Sequence, residues 1–67
     1  MSPRKLSRML QRLRENKDMT QRELAKRAHV TPGYIAQLEL GLKKNPSVPV
    51  LRKLARALGV PVTELLE

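Results

Sequence analysis

Side chains able to carry covalent or metal chemistry are scarce in this sequence. His29 is the only histidine, cysteine is absent, and the 6 acidic residues offer no pair at a spacing suited to general acid and base work. A catalytic triad or a metal cluster cannot be assembled from that inventory, and no glycine-rich phosphate loop is present. No enzyme, metal site or cofactor is therefore expected. Cations are what the chain has in excess: 14 lysines and arginines stand against 6 aspartates and glutamates, a formal charge of +8 on 67 residues. Such a balance on so small a body makes a polyanion the expected partner.

A chain this short buries only about 60% of the surface its unfolded form exposes. No disulfide can staple it, so packed helices must supply the stability. Its interior palette is leucine, methionine, isoleucine, valine and alanine, with one tyrosine and no tryptophan or phenylalanine. That palette favours helices over strands. No apolar run approaches the ~20 residues needed to span a bilayer. After Arg4 and Lys5, leucine alternates with arginine where a signal peptide would be apolar. A soluble, cytoplasmic protein with no membrane partner is expected, forming one domain over residues 1–67.

Leu6, Met9, Leu10 and Leu13 recur at helical intervals and predict a first helix over residues 3–16, with Ser2 as its cap and Pro3 at its first position. Thr20 and Glu23 form a capping-box pattern that starts a short second helix, ending near Ala28 with Leu24, Ala25 and Ala28 inward. Thr31 and Pro32 start a third over residues 32–40, with Ile35 and Leu38 inward and Gly41 as its terminator. Ser47 caps a fourth that carries Val50, Leu51, Leu54, Ala55 and Leu58 and stops at Gly59. A last turn with Val62, Leu65 and Leu66 closes the pattern.

Two short helices joined by three residues meet the geometric requirement of a helix-turn-helix. Ala25 is the small residue such a crossing needs, and His29 falls where the turn calls for a positive φ. From Thr20 to Gly41 the chain reads TQRELAKRAHVTPGYIAQLELG, which resembles the Cro/C1-type, or XRE-like, helix-turn-helix family of phage repressors and bacterial regulators. The similarity extends through Leu54, Ala55, Ala57, Leu58, Gly59 and Val60. It implies an all-α, compact five-helix, lambda-repressor-like domain, with the helix-turn-helix at about 20–40 and the third helix entering the major groove of double-stranded DNA. It further implies a transcriptional regulator, a repressor in the family's usual mode, binding a pseudo-palindromic operator as a homodimer at least on DNA. Two departures stand out. The family usually has glycine at the place of His29, and Pro32 and Gly33 occupy positions where relatives often carry base-reading polar side chains.

Carried over by this resemblance, Gln37 matches a base-reading position, and a glutamine amide bonds adenine N6 and N7 in bidentate fashion. Thr31, Pro32 and Gly33 stand beside it at the groove-facing start, although capping alone accounts for Thr31 equally well. Gln21 and Arg22 at the start of the second helix, Tyr34, and Lys43 and Lys44 in the following loop match phosphate-contacting positions. Tyr34 has packing over that loop as an alternative. Ala25, His29, Ile35 and Leu38 are structural, and Arg14 and Glu39 match a partly buried ion pair. Arg52, Lys53 and Arg56 read as a solvated face. Leu42, Val62, Leu65 and Leu66 are candidates for a dimer surface, or for closing the chain's own core. An antitoxin-type or other protein-interaction module on the same fold is the competing function. A membrane-surface role for the basic first helix is disfavoured by the missing tryptophan and phenylalanine. No small-molecule ligand is indicated.

Overall fold

A computed structural model describes residues 3–43 and 46–66; the cap assigned to Ser2, the loop residues Lys44 and Asn45, and Glu67 lie outside the described residues. Among the described residues five helices follow one another: α1 (Pro3–Asn16), α2 (Gln21–Ala28), α3 (Pro32–Glu39), α4 (Val48–Leu58) and α5 (Thr63–Leu66). No strand occurs among the described residues.

Local chemistry sets the starts. Thr20, Ser47 and Thr31 are extended N-caps whose hydroxyls accept from the amides three residues on, and at α2 the capping box is complete. There the Glu23 amide donates to Thr20 Oγ1 at 3.0 Å and the Thr20 amide donates to a Glu23 carboxylate oxygen at 2.8 Å. That bond to the charged form holds the Glu23 carboxyl below its ordinary pKa.

The ends share one device. After each of the first four helices a residue with positive φ reverses the chain: Asp18 (55°), His29 (58°), Gly41 (76°) and Gly59 (71°). In each case the next residue sends its amide back to a carbonyl five positions earlier: Met19 to Arg14, Val30 to Ala25, Leu42 to Gln37 and Val60 to Ala55, at 2.9 to 3.1 Å. This is the Schellman arrangement, which satisfies the carbonyls a helix end leaves open. Leu40 is consequently the cap of α3, one residue beyond the helix that the sequence pattern extends to it. His29 adopts the left-handed conformation expected of it, and Asp18 shares that conformation.

Leu6 and Leu10 of α1, Met19, Leu24, Ala25 and Ala28 of α2, Ile35 and Leu38 of α3, the Leu51, Leu54, Ala55 and Leu58 stripe of α4, and Leu65 form one core. Around it α3 packs against α1 and α2, α2 also packs on α4, and α5 closes against α1 and α4. Leu65 is buried and Val62 packs against the core, so these two close the chain's own interior. Leu42 and Leu66 remain exposed. No helix among the described residues is long and apolar enough to cross a membrane.

Candidate nucleic-acid interface

Burying Ile35 and Leu38 turns the opposite edge of α3 outward, and Pro32, Gly33 and Gln37 are exposed along it. Gly33 and Gln37, four residues apart, lie on one stripe of the helix. A Cβ added at Gly33 would meet nothing within 4 Å, so the missing side chain answers no packing demand. What it leaves is bare helix backbone able to approach another surface closely. Thr31 lies at the tip of this edge, its Oγ1 accepting the Tyr34 amide at 3.1 Å while its hydroxyl hydrogen stays free to donate.

The far end of α3 is fixed by a polar network. Arg14 at the end of α1 donates from Nε to Glu39 Oε2 at 2.6 Å and from Nη2 to Oε1 at 3.0 Å, a two-pronged ion pair. Its third bond, from Nη1 to the Met19 carbonyl at 2.7 Å, ties the same guanidinium to the turn after α1. Gln21, the first residue of α2, donates from Nε2 to Glu39 Oε1 at 2.9 Å. One carboxylate thus holds α1, α2 and α3 together. The side chains of Arg14 and Glu39 are only 12% and 5% exposed. Hydrogen bonding to Glu39 holds the Arg14 guanidinium above its ordinary pKa, against the opposing pull of burial.

That network refines the role carried over for Gln21. One amide hydrogen is committed to Glu39, so its second amide hydrogen and the free backbone amides at the start of α2 are what it can offer an anion. Arg22 beside it is exposed. Tyr34 is half-buried against the core, and Lys43 sets its Nζ 5.8 Å from the centre of the ring. An ammonium over an aromatic face is held by the ring's electron-rich surface. Tyr34 is therefore both a packing residue and a support for a loop cation. The sequence pattern did not anticipate this pairing, nor the tether of Gln21, because 9 and 18 positions separate the partners and no short-range rule connects them.

The described sites fall into two groups. Thr31, Pro32, Gly33 and Gln37 share the outer edge of α3, with Tyr34 and Lys43 together beyond them, while Gln21 meets the last turn of α3 through Glu39. Lys44 lies outside the described residues. No group of three or more histidine, cysteine, aspartate or glutamate residues among those described is placed to hold a metal ion.

A helix-turn-helix family model, HTH_3, matches residues 10–65. Among curated proteins, the HTH-type transcriptional regulator y4dJ of Sinorhizobium fredii is 44% identical over 55 residues, covering 82% of this chain and 70% of that protein. SinR of Bacillus subtilis, also an HTH-type transcriptional regulator, is 34% identical over 58 residues, covering 87% of this chain and 52% of that protein. The chain spans roughly half the length of the Bacillus and Deinococcus regulators it matches. Among solved structures, the restriction-modification controller protein C.AhdI from Aeromonas hydrophila superposes with a TM-score of 0.90 at 31% identity, over 96% of both chains. The clp gene regulator ClgR from C. glutamicum superposes with a TM-score of 0.84 at 38% identity, over 96% of this chain and 82% of that one.

This chain belongs to the helix-turn-helix family, in its Cro/C1-type branch. Its five helices form the DNA-binding fold shared by that family's transcription regulators.

Proposed function

We propose that the chain binds double-stranded DNA in a sequence-specific manner, with α3 in the major groove, and that it regulates transcription as a repressor. The observation that carries this reading is the outer edge of α3. Its backbone is bare at Gly33, Gln37 projects from it, and its far end is clamped by Glu39. A rigid helix presenting an amide side chain is what direct readout of a base edge requires. Gln37 and Thr31 then read bases, with Pro32 and Gly33 allowing close approach. Gln21, Arg22, Tyr34, Lys43 and Lys44 hold the phosphates on either side. The regulators and controller proteins to which the chain is similar support the transcriptional role.

One α3 covers only a few base pairs, so affinity at a natural operator calls for two copies on a pseudo-palindrome, half-sites one helical turn apart. Exposed Leu42 and Leu66 are the apolar candidates left for pairing between them.

Fluorescence anisotropy on a duplex across a range of salt concentrations tests the reading. If about four phosphates are neutralised per copy, the log-log slope is about −3.6, and Lys43→Ala flattens it by about one unit while weakening all sequences alike. A salt-independent or absent response would instead favour a protein-interaction module.

A further inference from the structure

A second cationic feature lies away from the reading edge. The end of α2 and the outer stripe of α4 enclose a cleft of about 330 Å³. Arg27 and His29 form one wall, Pro49, Arg52, Lys53 and Arg56 the other, and buried Ala28 the floor. The α4 residues stand at spacings of three, four and seven, so they share one helix face. We propose that this cleft binds clustered phosphate groups of the pyrophosphate or triphosphate kind.

Charge is the first reason. No carboxylate lines the cleft, and among the described residues none stands within ion-pair distance of Arg52, Lys53 or Arg56. Arg27 has Glu23 one turn away, outside the cleft, with one oxygen of that carboxylate bonded to the Thr20 amide. Arg52, Lys53 and Arg56 thus face Arg27 with only Glu23 partly offsetting that last charge, and a multivalent anion removes the repulsion that remains. A single carboxylate or chloride leaves most of it in place. Three guanidinium forks supply paired donors matched to phosphate oxygens, and one ammonium adds a point charge.

Rigidity is the second. The His29 backbone is locked by its own amide bond to the Lys26 carbonyl and by that of Val30 to the Ala25 carbonyl, at 3.3 and 3.0 Å. Pro49 lies in the first turn of α4, where its ring fixes the backbone. The backbone frame that carries the walls is thus set before any ligand arrives. Because they belong to α2 and α4, the cleft is free to act independently of the exposed edge of α3.

The phosphates can come from a free oligophosphate or from a nucleic-acid backbone, and one experiment separates the sources. Sodium pyrophosphate is titrated into the ¹⁵N-labelled full chain at ionic strength held constant with sodium chloride, with and without a saturating DNA duplex. Saturable shifts are expected at the amides of Ala28, His29 and Arg56. Affinity is expected to fall about tenfold or more in R52Q/R56Q, which removes two charge-assisted contacts. Unchanged Leu10, Leu24 and Ile35 signals would show that variant folded, and Arg52→Gln alone serves if it does not fold. Pyrophosphate shifts that persist in the duplex-bound protein identify a free oligophosphate. Shifts that the duplex itself produces, with displacement of pyrophosphate, identify strand phosphates. Absence of saturation, or shifts that survive both variants unchanged, would overturn the proposal.

Discussion

His29 bears most of the local strain at the centre of the motif. Its φ of 58° lies where an ordinary side chain costs roughly 1–2 kcal/mol, a region that histidine tolerates better than most. Glycine removes the Cβ conflict but loses more backbone entropy on folding, about 0.5–1 kcal/mol. His29→Gly is therefore expected to stabilise the fold by a net ~0.5–1 kcal/mol, raising Tm by about 3–6 °C in a thermal melt. A lower Tm would show that the imidazole contributes contacts outweighing the strain. The position was legible because a three-residue turn between two helices forces one residue into this region. Asp18 was not: aspartate accepts this region too, but no three-residue turn motif singled it out, and Met19, carried into the core by that turn, went unread with it.

Helix starts were the most readable elements, because a cap involves residues only three apart: Thr20 with Glu23, Thr31 beside Pro32, and Ser47 are visible in any window of four. The Arg14 and Glu39 partnership, 25 positions apart, was accessible only through family resemblance. Its energetics follow from burial. Glu39→Ala strands the Arg14 guanidinium and frees the Gln21 amide inside the α1, α2 and α3 junction, at an expected cost of about 3 kcal/mol in urea denaturation. Replacing both partners, as Arg14→Met with Glu39→Leu, is expected to cost less than the single change, because no buried charge is left alone. A Glu39→Ala variant as stable as the parent would contradict the clamp. At the start of α2, Glu23 has its folded-state pKa depressed by the Thr20 amide. Its contribution is fully present above its unfolded value of ~4.3 and is lost as pH falls through the lower folded-state value. Glu23→Ala is thus expected to narrow its stability gap from the parent as unfolding is measured at successively lower pH. A gap that widens on acidification would reverse the assigned sign.

The fold measures 24 × 23 × 20 Å, less than one turn of duplex DNA at about 34 Å, so the chain's charge of +8 is concentrated on a small body. Periodicity revealed which residues fill the core, but it does not show how cations distribute over the outside. Arg52, Lys53 and Arg56 read as a solvated face and are exposed, but only the fold brings Arg27 and His29 opposite them. The same holds for apolar exposure. Met19, Val30 and Val60 follow their helix ends into or against the core, whereas Leu42, in the equivalent place after α3, is 66% exposed and its neighbour Leu40 is 72% exposed. The loop after α3 therefore carries apolar surface that this fold does not itself cover.

Selection from a randomised duplex library with the purified chain, repeated with Gln37→Ala, measures sequence reading by α3 most directly. Convergence on a short motif is expected, with the variant losing about 1–3 kcal/mol of preference at one base pair while its remaining positions hold. A pool that stays random, or an identical motif from the variant, would contradict the role given to that helix edge.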